Sequence, residues 1–142
     1  MIRRSFFALL AAALLLPAAV SAEVPVRVRV IKGSRQGPAK IDPRLDDQKR
    51  QLSALAYVKW EQVDEKRFDL DQGKPQFVTL PGGEDVAVTL QERRGTTVTI
   101  EVAVAARNTQ SRLTVEKGQR IVHQVTGEKG GSAFFLTVLA WP

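Results

Sequence analysis

Hydrophobic and polar residues alternate over most of this chain. In Glu23-Val24-Pro25-Val26-Arg27-Val28-Arg29-Val30 the four valines share one face, and Arg27 and Arg29 share the other. That is the pattern of a half-buried strand. Pro25 has no amide hydrogen to give a ladder, so the start of this strand is expected at a sheet edge. From Tyr57 onward the same period predicts strands over 57–63, 66–70, 76–80, 86–91, 97–104, 112–116, 119–125 and 133–139. Their separators carry turn chemistry: Asp71-Gln72-Gly73, Pro81-Gly82-Gly83-Glu84, Arg93-Arg94-Gly95, Arg107-Asn108-Thr109, Lys117-Gly118 and the glycine-rich 127–131. The last strand is apolar on both faces, which predicts a central, covered position with a helix over one side.

Two segments break the alternation. Asp42-Pro43 is a helix start, with an aspartate to accept from orphan amides and a proline where its missing donor costs nothing. Leu45, Leu52 and Leu55, with Ala56 nearby, form an apolar stripe, so a helix over about 43–55 is expected to pack on a sheet. Residues 33–40 read as a polar, mobile loop carrying Arg35 and Lys40, just after Lys32. The fold class that follows is mainly β: a compact antiparallel β-sandwich or open barrel with one α-helix packed on it.

The first 22 residues read as an address, not as fold. Arg3 and Arg4 form a basic start, residues 6–16 an apolar run, and Val20-Ser21-Ala22 the small residues of a cleavage site. Cleavage is expected after Ala22, leaving 23–142 as a single β-rich domain. The run is shorter than the roughly 20 apolar residues that span a bilayer, so no stable membrane insertion is expected after cleavage. Arg3-Arg4-Ser5-Phe6-Phe7 also resembles the twin-arginine export motif, although Ile2 and Ala8 flank it poorly and the Leu-Ala run suits the general secretory route. An outer-membrane barrel is disfavoured because its strands need about 9–11 residues and aromatic girdles.

The 142 residues include no cysteine and one histidine, with 21 Lys+Arg against 15 Asp+Glu. Disulfides, thiolate nucleophiles, zinc ribbons, iron–sulfur clusters and multi-histidine metal sites are therefore excluded. Without Arg3 and Arg4 the net charge falls to about +4, which is no nucleic-acid footprint. No cofactor and no metal are expected. His123 is the one side chain with an ordinary pKa near neutrality, and it shares a strand face with Ile121 and Val125. It is the candidate catalytic residue of a small periplasmic hydrolase, with Ser34, Ser53, Ser111 or Ser132 as possible nucleophiles. None of these serines sits in a G-x-S-x-G elbow, and a strand histidine at a sheet rim explains the same position.

Carboxylates at Glu61, Asp64, Glu65, Asp69 and Asp71 lie among basic residues and read as solvated edges and turns. Asp69-Leu70-Asp71-Gln72-Gly73 opens like a calcium loop but lacks the closing glutamate. Pro81-Gly82-Gly83 and Lys129-Gly130-Gly131 read as hairpin turns, since neither opens a helix as a phosphate loop does. Arg27, Arg29, Lys32, Arg35 and Lys40 are the candidate binding residues for an anionic polymer or headgroup, with edge protection explaining them equally well.

Residues 97–122, with Leu113-Thr114-Val115-Glu116-Lys117-Gly118-Gln119-Arg120-Ile121-Val122 at their core, resemble the strand–"dGQ"–strand hairpin of the outer-membrane secretin β-domain. His123-Gln124 replaces the Gly-Gly that usually follows, and the resemblance covers about a quarter of the chain after Ala22. It implies a β-module working near such assemblies and carries over no catalytic residue. The leading expectation is thus an exported, non-enzymatic binding or structural module of the bacterial cell envelope, periplasmic or secreted. It would act on an envelope protein or secretion assembly through exposed strand edges. The alternatives are the His123 hydrolase and a secreted carrier or inhibitor presenting the 33–40 loop.

Overall fold

The computed structural model describes residues 23–142; the signal-sequence reading falls on residues 1–22, outside the described residues. Nine strands form two sheets: β1 (Val24–Ser34), β2 (Lys40–Ile41), β3 (Lys59–Leu70), β4 (Gln76–Thr79), β5 (Asp85–Arg94), β6 (Thr97–Val104), β7 (Thr109–Glu116), β8 (Arg120–Gln124) and β9 (Ser132–Ala140). Sheet A has the order β2-β3-β1-β9-β8 and sheet B the order β4-β5-β6-β7. All pairs are antiparallel except β2 with β3. Among the described residues the chain is mainly β, with one short helical segment on sheet A and a single 3-10 turn at Ala105–Arg107.

The inner faces meet in one apolar cluster. Val24, Val26, Val28, Val30, Leu136 and Val138 from sheet A pack on Val86, Val88, Leu90, Ile100 and Val102 from sheet B. Alternation alone puts these residues on one face of each strand, and burying both faces together removes them from water. Strands β1, β3 and β5 are 11, 12 and 10 residues long, more than the sequence pattern suggested, so strand length does not separate this fold from a membrane barrel. The distinction lies in the faces: the apolar side chains point at each other across the sandwich.

Strand β1 is not at an edge. It lies between β3 and β9 and is the centre of sheet A. Pro25 is tolerated because its carbonyl accepts from Trp141 N at 2.8 Å just past the end of β9. Its missing donor faces the same side, where the ladder has ended. Strand β9 sits between β1 and β8, central as expected, with Leu136 and Val138 facing inward and Phe135 facing outward.

A second, smaller cluster lies on the outer face of sheet A, where Ile31, Trp60, Ala133 and Phe135 pack against Tyr57, Leu45 and Leu52. The covering helix is shorter than 43–55 and divided. Pro43–Gln48 is a 3-10 turn and α1 (Lys49–Ser53) a single α turn. The buried side chains explain the change of pitch: Leu45 to Gln48 is three residues, and Gln48 to Leu52 is four. Asp42 caps as expected, its carboxylate accepting from Arg44 N at 3.0 Å. Leu55 is exposed and takes no part in the stripe.

The expected break between 57–63 and 66–70 is a bulge inside one continuous strand. Val30 pairs with Asp64 but Ile31 pairs with Gln62, so Val63 is the extra residue. The alternation of β3 is reversed there, which puts Trp60 and Glu65 on the same outer face although their spacing is odd. A second bulge in β5, between Leu90 and Glu92, carries that strand on to Arg94. Lys117-Gly118 is not a hairpin turn, because β7 pairs with β6 and β8 with β9, in different sheets. The two strands that flank Lys117-Gly118-Gln119 therefore do not pair with each other, while β6 and β7 within 97–122 do.

The 33–40 loop is shorter than expected. Gly33 and Ser34 belong to β1, Ser34 is buried with its hydroxyl 3.0 Å from that of Ser132, and only 35–39 remain outside a strand. Gly33 is held by close packing: a Cβ there would stand 2.9 Å from Trp60 Cζ3 and 3.0 Å from Tyr57 Cγ. Gly33→Ala is expected to cost about 1–2 kcal/mol through displacement of these rings, read as a lower urea midpoint at unchanged slope.

Candidate functional site

His123 lies on β8 opposite Leu136, at the rim of the sandwich between β8 and β7. The shallow cleft it lines, about 290 Å³, also has Val102, Val104, Thr109 and Ser111 on its wall. Burial lowers the imidazole pKa below its ordinary value, so the neutral form is favoured. Of the four candidate serines only Ser111 shares this cleft. Ser34 bonds Ser132, and Ser53 donates to Lys49 O at 2.7 Å. No carboxylate lines the cleft, so the third member of a triad is missing from it.

The remaining acidic candidates have local roles. Glu65 is bound by Arg29, and Asp71 lies 3.9 Å from Lys74 in a turn whose Gly73 N donates to Leu90 O. Among the described residues no three His, Asp or Glu side chains gather as metal ligands. The Pro81-Gly82-Gly83 turn is closed by Leu80 N donating to Glu84 O at 2.7 Å. With the 127–131 turn it borders a depression where Arg107 is already paired with Glu84 at 2.8 Å.

The five basic candidates do not converge. Arg29 is buried under the helical segment, where its Nε donates to Glu65 Oε2 at 2.8 Å and its Nη1 to Asp47 Oδ1 and Gln48 Oε1 at 2.9 Å each. Arg120 also pairs with Asp47, and Gln51 Nε2 donates to Arg120 O at 2.8 Å. Arg27, beside them on the outer face, is 3.9 Å from Glu65 Oε1. The network ties helix to sheet, and sequence reasoning missed it because Arg29 reads there as a solvated charge. Hydrogen bonding to Arg29 holds the Glu65 carboxyl below its ordinary pKa. At Asp47 burial opposes ionisation, but Arg29 and Arg120 outweigh it and the pKa is again lowered. Lys32 lines the depression by Glu84; Arg35 pairs with Glu128 and lies 4.8 Å above the Tyr57 ring.

Lys40 reaches a different place. A cavity of about 440 Å³ opens between β2, the helical segment and the start of β3. Its apolar wall is Ile41, Tyr57 and Trp60, and its polar wall includes Lys40, Asp46 and Lys49. Tyr57, Trp60 and Phe135 form an edge-to-face trio with centroids 5.0–5.8 Å apart. Trp60 is 2% exposed, and its indole Nε1 is buried with no hydrogen-bond partner. A buried donor left unmade costs about 1–3 kcal/mol, and this one has no surface open to the cavity.

Sheet B is bare on the outside. Phe77 of β4 stands 52% exposed, in register with Ala87, Ala103 and Gln110 across the four strands. Strand β7 has β6 as its sole sheet neighbour and leaves an eight-residue edge. Among the described residues no helix is long and apolar enough to cross a membrane. The chain matches no protein-family model, no curated protein and no solved structure.

Proposed function

We propose that the chain is an exported, non-enzymatic binding module of the bacterial cell envelope, acting by protein–protein contact through sheet B. The observation that carries this reading is the asymmetry of the two outer faces. Sheet A is roofed by a helix and an arginine network, while sheet B presents Phe77 beside small Ala87 and Ala103 and ends in the long free edge of β7. A large exposed aromatic next to small residues offers an anchor, and an unpaired edge accepts an extended segment of a partner by main-chain hydrogen bonding. Gln110 and Arg112 on β7 keep that edge from pairing indiscriminately.

The test is site-specific photocrosslinking from position 110, in the row of Phe77, in cells that produce the protein. A discrete adduct of one size is expected. Phe77→Asp should abolish it while moving the unfolding free energy by about 0.5 kcal/mol or less, because the side chain is exposed. A smear of adducts unaffected by Phe77→Asp would overturn the reading.

A further inference from the structure

We infer that the free edge of β7 selects its partner by sequence: it takes an extended segment that sets an aspartate or glutamate opposite Arg112 and an apolar side chain, next in sequence, opposite Ser111. The inference rests on the reading of sheet B as a protein-contact surface and adds the chemistry of what binds there.

The backbone comes first. Lys117 N donates to Thr96 O at 2.9 Å, which continues the β6–β7 ladder by one pair and fixes its phase. In an antiparallel ladder alternate residues turn both N–H and C=O to the same neighbour, so the odd-numbered residues of β7 bond β6 and the even-numbered ones face away from it. Glu116 agrees. Its N–H donates to Gln119 Oε1 at 3.2 Å and its carbonyl accepts from Gln119 N at 2.9 Å, which closes that end of the edge. Gln110, Arg112 and Thr114 keep both backbone groups open, and all of them are exposed.

This open stretch is symmetric about Arg112. A second copy pairing antiparallel with all of it would set Arg112 directly against its own twin, and like charges so opposed destabilise a strand pair. The guanidinium is also uncommitted. Glu101, opposite it on β6, accepts from Gln91 Nε2 at 2.8 Å and from Gln110 Nε2 at 3.4 Å, and among the described residues Arg112 has no ion-pair or side-chain hydrogen-bond partner. A carboxylate at the facing position of a foreign strand supplies one, and opposite charges directly across a strand pair favour the pairing.

The next residue of that strand points inward. Leu113 and Val115 fill the inward positions of β7 toward its closed end. Ser111 and Thr109 leave the other end open over the cleft of about 290 Å³ whose wall includes Val102, Val104 and His123. Directly opposed Cβ atoms stand about 4.5–5.5 Å apart, so a side chain facing Ser111 enters this cleft. No charged residue lines it and two valines do, so an apolar side chain fits there and a charged one would lose its water uncompensated.

The experiment titrates ¹⁵N-labelled protein with the capped heptapeptide Lys-Thr-Val-Glu-Val-Thr-Lys, which reads the same in both directions and so leaves the strand direction open. The backbone amide signals of Gln110, Arg112 and Thr114 are expected to move downfield and saturate. The counterpart with lysine in place of glutamate should bind about fivefold or more weakly, and Arg112→Glu should invert that preference. Arg112 is exposed, so this variant should keep the parent thermal midpoint. Serine in place of both peptide valines should weaken binding about tenfold. Amides unmoved at millimolar glutamate peptide overturn the edge as a docking site. Equal binding of the two charged forms, or no inversion in Arg112→Glu, overturns the carboxylate, and undiminished binding of the serine form overturns the apolar neighbour. Movement of the same amides with protein concentration alone would put a second copy on the edge and overturn the inference as well. A discrete adduct from position 110 alongside unbound peptides means that only the sequence preference has failed, whereas a lost adduct fails the protein-contact reading itself.

Discussion

Phe135→Ala is expected to lower the unfolding free energy by about 3–5 kcal/mol, enough to remove most of the stability of an ordinary domain of this size. Phe135 is 4% exposed and is the shared member of the aromatic trio, 5.5 Å from Tyr57 and 5.0 Å from Trp60. Its removal leaves a void that two large rings and a divided helix cannot close without shifting. The neighbouring Phe134 points to the opposite face and is only partly buried, so Phe134→Ala should cost about half as much. The sequence of a strand apolar on both faces does not show which of the two faces is fully covered. Arg94→Ala, in a side chain 82% exposed, should stay within about 0.5 kcal/mol and serves as the reference. Urea unfolding of the three variants checks the order. Coincident Phe135→Ala and parent midpoints would mean that the helical roof is not packed on the sheet in solution.

Arg29→Ala is expected to cost about 3 kcal/mol, at the low end for a broken buried pair because Glu65 and Asp47 are partly solvated. The loss comes from leaving Gln48 and Glu65 without their donor beneath the helix and Asp47 with Arg120 alone. The pH dependence separates this cause from simple loss of packing. Glu65 and Asp47 have folded pKa values below their ordinary ones, so their contribution is present above the ordinary carboxylate range and is lost as the pH falls through the folded values. Arg29→Ala should therefore flatten the acid limb of a stability–pH curve, whereas Phe135→Ala should lower the whole curve without changing its slope. An unchanged acid slope in Arg29→Ala would show that the two carboxylates are not linked to folding through this guanidinium.

Local chemistry made the strands legible. The period of two located the strands, 97–104 to the residue, although it divided β3 at its bulge, and Asp42-Pro43 marked the helix start. What the sequence did not disclose depends on pairing between distant segments. Pro25 suggested an edge, but a proline is also harmless where the partner strand ends, and that point is set by β9, more than a hundred residues away. Arg29 was read as a solvated charge because its three partners come from β3 and the helical segment. His123 is where alternation put it, on the face of Ile121 at the rim. The cavity had no signal at all beyond Lys40, since Trp60 and Lys49 are brought beside it only when β2 aligns parallel to β3.

Val63 imposes a constraint of another kind, on which lengths of chain this fold can inherit. A strand is indifferent to many substitutions but counts its residues, and the odd residue out at Val63 resets the count between the aromatic half of β3 and its charged half. Deleting Val63 would leave Trp60 and Glu65 four residues apart, still opposite Gly33 and Arg29 and on one face, so only the local twist of the bulge would be lost. Related chains would therefore tolerate gained or lost residues in 35–39 or 127–131, and even the loss of residue 63, whereas losing a second residue between Trp60 and Glu65 would turn one of the two to the wrong face.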